Sequence, residues 1–129
     1  MKDPISDFII RLKNASNARK DVITFPASKV VTAIADILER EKYLTAVAKK
    51  GKKVGKILEI TMKYDEGIPA ITDVKRVSKL SRRVYLGVKD IKPVLNGIGR
   101  MIISTPNGLM TGSEARKAKV GGEALFQIW

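Results

Sequence analysis

Two residue types that carry much of protein chemistry are missing from this chain of 129 residues, which has no cysteine and no histidine. Without cysteine, the chain forms no disulfide, offers no thiolate nucleophile and cannot bind zinc through sulfur. Without histidine, it lacks the usual general base at neutral pH and the commonest metal ligand. We therefore expect a protein that is not an enzyme and that has no metal site and no cofactor.

Long apolar segments are missing as well. No run approaches the roughly 18 apolar residues of a membrane-spanning helix, and no predicted helix joins a bulky aromatic face to a wholly basic one. The first residues, Met1 to Ile5, contain no apolar export segment. A membrane is therefore the less favoured partner, and we expect a cytoplasmic protein.

Acidic residues are few, because 13 Asp and Glu stand against 25 Lys and Arg and give a net charge of +12. Such an excess favours binding to a polyanion, since Lys and Arg neutralise phosphates and release their counterions. With 44% hydrophobic residues, the chain is expected to fold around a core. The charge alone would suit RNA and duplex DNA equally.

The first half of the chain predicts two helices and a small sheet. Asp3 followed by Pro4 indicates the start of a helix, and apolar residues then recur at helical spacing as far as Leu12. Ser28 is placed to cap the second helix. The apolar stripe of that helix is predicted to comprise Val30, Ile34, Ile37 and Leu38. Alternating patterns predict strands at residues 22–25, 44–49 and 57–64.

Residues 49–56 form a lysine-rich tip between two of these strands, with two glycines among the lysines. The tip either attracts a polyanion or is a solvated loop, because loop tips collect charge in many proteins. Further on, residues 65–69 form an acidic turn with Gly and Pro. We place the boundary between two lobes there, with residues 1–65 in an N-terminal lobe and 66–129 in a C-terminal lobe.

A basic segment opens the second half. Five Lys and Arg residues and no acidic residue occur between positions 75 and 83, and Tyr85 follows. Basic side chains beside one exposed aromatic ring suit an RNA backbone with base stacking. The alternative is that Tyr85 belongs to the core of a strand.

Residues 99–116 are the segment around which the chain is organised. The apolar residues before Ser104 and after Gly108 flank a small polar turn, which predicts a β-hairpin. Pro106 presets φ for the second position of the turn, and Asn107-Gly108 tolerate the backbone angles that close it. Hydroxyls and backbone N–H groups at such a rim suit sugar, phosphate and base edges, whereas the alternative is an ordinary hairpin turn.

The order of these motifs resembles the family of bacterial-type small-subunit ribosomal protein eight, over nearly the whole chain. The matching segments are residues 3–5, 26–29, 83–85, 94–99, 102–105, 108–110, 115–116 and 121–123. The resemblance implies binding to the central domain of small-subunit ribosomal RNA, with the loop at Ser104-Thr105 and the first helix on the RNA, and a role in subunit assembly. The alternative for the first helix is that its polar face, with Arg11 and Lys13, is only solvated. It also implies neighbouring ribosomal proteins as partners. Some members repress their own messenger RNA, which adds that RNA as an alternative partner.

The expected fold is α+β with two small lobes. The N-terminal lobe has two helices on a short sheet, and the C-terminal lobe is a mostly antiparallel sheet with a short helix. The residues expected to contact RNA are Ser104, Thr105, Pro106, Asn107, Gly108, Arg83, Tyr85, Arg76, Lys79, Glu123, Arg11, Lys13, Asn14 and Lys29.

Four residues, at three places in the chain, depart from the pattern of that family. Lys42 stands where the second helix usually ends in glycine, Leu80-Ser81 stand in place of Pro-Gly, and Pro106 stands where serine is usual. We expect the end of the helix and the turn before Arg83 to be built differently. Proline supplies neither a hydroxyl nor an N–H, so this hairpin has fewer donors.

Two competing functions remain. An architectural DNA-binding or generic double-stranded-RNA protein would carry the same charge. A small nuclease would need a cluster of carboxylates to hold a metal ion, and Asp73, Asp90 and Glu123 are scattered along the sequence.

Overall fold

The computed structural model describes residues 3–51 and 55–129. The helices are α1 (Pro4–Asn17), α2 (Lys29–Arg40) and α3 (Gly112–Ala118). The strands are β1 (Val22–Pro26), β2 (Leu44–Lys50), β3 (Ile57–Met62), β4 (Tyr64–Asp65), β5 (Ile68–Pro69), β6 (Val74–Arg76), β7 (Tyr85–Leu86), β8 (Arg100–Thr105), β9 (Gly108–Thr111) and β10 (Gly122–Ile128). This combination of helices and antiparallel sheets confirms the α+β prediction.

The described part of the chain divides into two compact units, which are residues 4–72 and residues 73–129 together with Asp3. The acidic turn at residues 65–69 predicts a boundary near residue 66. In the structure, Glu66 lies in the turn of the β4–β5 hairpin, inside the first unit, and the division falls between Thr72 and Asp73. The acidic turn therefore joins two short paired strands.

In the unit of residues 4–72, β1, β3 and β2 form an antiparallel sheet in that order, with α1 and α2 beside it. The buried core of this unit includes Phe8, Leu12, Ile34, Leu38, Leu58 and Ile60. Helix α1 begins at Pro4 as predicted. Ser28 is the N-cap of α2 and accepts a hydrogen bond from the backbone N–H of Val31 at 3.3 Å, also as predicted. The buried stripe of α2 contains Val31, and Val30, which we predicted there, is only half-buried.

The end of α2 explains how the helix stops without glycine. Lys42 takes a left-handed backbone conformation with φ of 68°. The N–H of Lys42 donates to the carbonyl of Glu39 at 3.1 Å, and the N–H of Tyr43 donates to that of Leu38 at 2.8 Å. These bonds satisfy the last carbonyl groups of α2 in the same way as the bonds at the end of a helix that stops at glycine. Lysine pays a steric cost of roughly 1–2 kcal/mol for that conformation.

In the unit of residues 73–129, the sheet order is β6-β10-β8-β9, and β7 also pairs with β10. Strand β6 is shorter than the strand that we predicted over residues 71–77. Helix α3 begins with a capping box, in which Thr111 and Glu114 satisfy each other's backbone N–H groups. The buried cluster under α3 comprises Ile91, Val94, Met101, Ile103, Ala115 and Ala124.

Candidate nucleic-acid interface

Tyr85, Glu123 and Ser104 form one row across the sheet of the second unit. Glu123 on β10 pairs with Tyr85 on β7 at one side and with Ser104 on β8 at the other. Directly opposite residues of antiparallel strands have Cβ atoms about 4.5–5.5 Å apart and project from the same face. Three residues that are far apart in sequence are therefore brought together, and we call them the Tyr85–Ser104 row.

Two glycines allow the strands to approach this closely. A Cβ atom on Gly122 would lie 2.1 Å from the carbonyl oxygen of Ser104, and a Cβ atom on Gly121 would lie 2.4 Å from the carbonyl oxygen of Leu86. Both obstacles are backbone atoms, which cannot turn aside as a side chain can. The glycines before Glu123 thus determine how the row is assembled.

Glu123 is held by two donors at the centre of the row. The hydroxyl of Ser78 donates to Glu123 Oε2 at 2.5 Å, and the Arg83 guanidinium donates to the same oxygen at 3.1 Å. Burial raises the pKa of Glu123, but the hydrogen bonds from Ser78 and Arg83 and the positive charge of Arg83 outweigh it, so the pKa lies below its usual value. The bond to Glu123 in turn raises the pKa of Arg83. The carboxylate is therefore ionised, and its charge is compensated.

Ser78 is a residue that the sequence analysis missed. It is completely buried, and its hydroxyl also accepts a hydrogen bond from the backbone N–H of Val84 at 3.0 Å. A serine next to the apolar end of a strand was the only signal in the sequence, and it did not distinguish Ser78 from other serines. Its function here is to orient the carboxylate of Glu123.

Tyr85 and Ser104 are the two residues of the row whose hydroxyl groups are open to a ligand. Tyr85 is 71% exposed, so it does not belong to the core, and Ser104 is half-buried. Within residues 3–51 and 55–129, neither the Ser104 hydroxyl nor the Tyr85 hydroxyl has a hydrogen-bond partner. An aromatic face, a hydroxyl and a compensated carboxylate are thus available side by side to a ligand.

The adjoining hairpin of β8 and β9 is confirmed, and the structure assigns Thr105 a different part in it from Ser104. The Thr105 hydroxyl accepts a hydrogen bond from the Asn107 N–H at 3.1 Å and donates to the Gly108 carbonyl at 2.8 Å. Gly108 has φ of 110°, which suits a hairpin closed by a proline turn. Thr105 is buried, while Pro106, Asn107 and Gly108 are exposed at the tip. The Thr105 hydroxyl therefore builds the turn.

Arg76 and Lys79 do not join the row. The Arg76 side chain is 9% exposed, forms an ion pair with Asp3 at 3.2 Å and donates to the carbonyl of Leu125. It is therefore part of the internal structure of this unit. Lys79 lies on the turn that leads to Arg82, where the two residues bond to each other through their backbones.

In the unit of residues 4–72, Lys29 lies in a second basic area. It lines a groove of about 500 Å³ together with Lys49 and Lys56. The backbone N–H of Ala27 donates to the carbonyl of Lys56 at 3.0 Å and fastens that residue beside the start of α2. We call these three residues the lysine groove.

Helix α1 carries the other contact residues expected in this unit. Arg11 and Asn14 are exposed on α1 and Lys13 is half-buried, and none of the three lines the lysine groove.

In the lysine-rich tip, residues 52–54 lie outside the described part of the chain. Lys50, which precedes them, forms an ion pair with Glu59 at 3.1 Å.

Within residues 3–51 and 55–129, no three acidic side chains come together as metal ligands, and Asp73, Asp90 and Glu123 form no such group. No helix in that part of the chain has the length and apolar character required to cross a membrane.

The chain is similar to ribosomal proteins over its whole length. The family model described as Ribosomal protein S8 matches residues 3–129. Proteins named small ribosomal subunit protein uS8 from Rhizorhabdus wittichii and Novosphingobium aromaticivorans are each 43% identical over 129 residues, which cover 100% of this chain and 98% of the relative. The protein of that name from Brucella abortus is 43% identical over 130 residues with the same coverage.

Proposed function

The chain belongs to the ribosomal protein S8 family, and from that membership we propose that it is a structural protein of the small ribosomal subunit that binds the central domain of the subunit's RNA. In that position it supports assembly of the subunit beside neighbouring ribosomal proteins. The observation that carries the proposal is the Tyr85–Ser104 row, in which stacking and hydrogen-bonding groups lie together on one face of a sheet.

The row suits recognition of an irregular RNA helix by shape. The exposed ring of Tyr85 offers a surface on which an unstacked base can lie, and the Ser104 hydroxyl offers a donor and an acceptor to sugar or base edges. The Glu123 carboxylate accepts hydrogen bonds only, so it selects donors such as a 2′-hydroxyl or a base amino group. Because Ser78 and Arg83 already compensate its charge, Glu123 repels nearby phosphates less than a free carboxylate would.

The exposed tip of the hairpin extends the same surface. Pro106, Asn107 and Gly108 lie next to Ser104 and present backbone groups and one amide side chain. The rigid turn fixes these groups before RNA arrives, which lowers the entropy cost of binding.

The lysine groove supplies a different kind of contact. Lys29, Lys49 and Lys56 carry positive charge toward the phosphate backbone without reading sequence. The exposed residues of α1, Arg11 and Asn14, and the half-buried Lys13 are further candidates for such contacts. Specificity would then rest on the row and attraction on the lysines. Binding to its own messenger RNA would use the same row.

Binding titrations at about 150 mM salt, where nonspecific binding is weakened, test the proposal. The protein is titrated with a central-domain fragment of small-subunit ribosomal RNA and with duplex RNA and duplex DNA of equal length. We expect a clear preference for the fragment. Ser104→Ala and Tyr85→Ala should each lower affinity for the fragment by about 1–2 kcal/mol and leave binding to the duplexes unchanged.

Ser113→Ala is the matched control, because Ser113 is an exposed serine on α3 outside the row. It should bind like the unmodified protein. Equal affinities for the fragment and the duplexes would leave the chain a generic nucleic-acid binder. Cleavage of the RNA that depends on magnesium would contradict the structural role.

A further inference from the structure

A second basic groove lies at the edge of the sheet in the unit of residues 73–129, and the row does not use it. It measures about 420 Å³ and is lined by Lys75, Lys79, Arg82 and Arg76 with Val77, Val84 and Gln127. We call Lys75, Lys79 and Arg82 the edge cations. All three are exposed.

The edge cations point into the groove from two separate elements. Lys79 and Arg82 are directly opposite each other across a two-residue turn, since their backbones exchange hydrogen bonds of 2.8 and 3.1 Å. Opposite residues of an antiparallel pair project to the same side. Lys75 comes from β6, so the charge is spread along the groove.

The charge of the edge cations is uncompensated within the described residues. Across residues 3–51 and 55–129, no carboxylate forms an ion pair with Lys75, Lys79 or Arg82. Arg76, which also lines the groove, differs because it is paired with Asp3. Three close cations without counter-charge favour an anionic ligand.

The groove lies at the edge of the sheet beside β6, whereas the row spans β7, β10 and β8. On β8, Ser104 and Met101 are three residues apart, so their side chains project from opposite faces of the sheet. Gln127 pairs with Met101, and Lys75 pairs with Gln127, which places Lys75 on the face opposite Ser104. Arg76 pairs with Phe126 and Phe126 with Ile102, so Arg76 lies on the same face as Ser104. The groove therefore extends around the edge of the sheet, and a ligand confined to the row leaves Lys75 accessible.

Resting on the proposed function, we infer that the groove holds the sugar-phosphate backbone of a second RNA segment, distinct from the segment on the row. Lys and Arg bind phosphates without regard to sequence. No aromatic side chain lines the groove in the described part of the chain, so bases have nothing to stack on. The protein then joins two RNA segments, one on the row and one at the edge of the sheet beside β6.

A double variant tests the charge requirement. Lys75→Gln with Arg82→Gln removes two edge cations, and Lys89→Gln with Lys117→Gln removes two exposed lysines of the same unit outside the groove and the row. With the whole central domain of small-subunit ribosomal RNA as probe, the groove variant should bind at least tenfold more weakly at about 150 mM salt. The slope of log K against log salt should fall by about 1.5. The control variant should bind like the unmodified protein.

Tethered cleavage tests the second segment directly, because a chain without cysteine accepts one at a single chosen position. Leu80→Cys lies between two edge cations and Pro106→Cys lies beside the row, and each carries an iron chelate that cleaves nearby RNA. We expect two separate sets of cleaved nucleotides. One shared set, or no cleavage from position 80, overturns the inference.

The two proposals fail in different ways. If the unmodified protein does not prefer the central domain, the proposed function fails first. If Ser104→Ala still weakens binding while the groove variant keeps both affinity and slope, only the second segment is refuted. Binding of a polyglutamate peptide by the unmodified protein but not by the groove variant, with RNA binding unaltered, would assign the groove to an acidic protein segment and also refute it.

Discussion

Glu123 shows how one acidic residue is accommodated at a basic surface. Its carboxylate accepts from the buried hydroxyl of Ser78 and from the partly exposed guanidinium of Arg83. Because its pKa in the folded protein lies below the usual value of 4.5, Glu123 stabilises the fold wherever the unfolded chain would also be ionised. That contribution is present above about pH 4.5 and is lost as the pH falls through the lowered pKa.

Glu123→Gln should therefore destabilise the protein at pH 7 by about 1 kcal/mol, because a hydrogen bond to a charged acceptor becomes one to a neutral acceptor. The deficit relative to the unmodified protein should shrink as the pH falls below about 4.5 and the Glu123 carboxylate becomes protonated. Urea unfolding at several pH values measures it. Asp90→Asn, at an exposed carboxylate, is the control and is measured in the same way. A deficit that is constant with pH would mean that the carboxylate charge contributes nothing.

Adjacent hydroxyls in the hairpin have different functions. The Thr105 hydroxyl is bonded on both sides within the turn, and the Ser104 hydroxyl is open to a ligand. Thr105→Ala should lower the free energy of unfolding by about 1 kcal/mol through the loss of these bonds, whereas Ser104→Ala should leave it unchanged. Thermal unfolding of both variants decides the point. Equal stability would show that the turn closes without the Thr105 hydroxyl.

At the scale of single residues, the sequence indicates what kind of contact a side chain can make, but not which residue it contacts. The sequence did not determine whether Tyr85 is a core residue or an exposed one. A strand of two residues is too short to show an alternation of buried and exposed positions. The basic cluster did not distinguish Arg76, which is paired internally, from Arg82, which is exposed, because the ion pair with Asp3 spans 73 positions. Long-range pairs leave no local pattern in one sequence.

At the scale of elements, β10 organises the second unit, since it pairs with β6, β7 and β8. The start of β10 lies close to the backbones of Leu86 on one side and Ser104 on the other. A side chain at Gly122 therefore has no room. Gly122→Ala should destabilise the protein by about 3 kcal/mol or more and weaken RNA binding through displacement of Glu123. Gly87→Ala is the matched control, because a Cβ atom there would only contact Asp90 at 3.6 Å.

Calorimetry and RNA titration of both glycine variants provide the comparison. If Gly122→Ala unfolds like the unmodified protein, the close approach of β10 to β8 is not a constraint on sequence. If it remains stable but loses RNA affinity, the glycine acts on the site alone.

Elements with strong local signals were predicted well. The capped helix after Ser28 and the hairpin at Pro106 have both apolar spacing and turn residues, and both are confirmed. Residues 71–77, which begin with Ile71 and end with Val77, also predict a strand from their composition, but only Val74–Arg76 pair with β10. Such pairing depends on a distant strand, so β-propensity alone overestimates its length. The lysine at the end of α2 closes the helix by adopting a glycine-like conformation, which spacing could not reveal.

At the scale of the whole molecule, the net charge of +12 is distributed over both units. The unit of residues 73–129 contains the row, whose ligand-facing hydroxyls are neutral, and the unit of residues 4–72 contains the lysine groove. Neutral hydroxyls release no counterions on binding, and lysines on phosphates do. If the row recognises RNA and the lysine groove attracts it, as we propose, the two contributions are separable by their dependence on salt.

Replacing Lys29 and Lys56 with Gln should lower the slope of log K against log salt by about 1.5, and should weaken binding to the central-domain fragment and to duplex RNA in the same proportion. Ser104→Ala is the matched comparison and should weaken binding to the fragment alone at an unaltered slope. Titrations at four or more salt concentrations separate the two effects. If the lysine variant keeps the slope, Lys29 and Lys56 face solvent only, and the phosphate contacts must come from the unit of residues 73–129 or from α1.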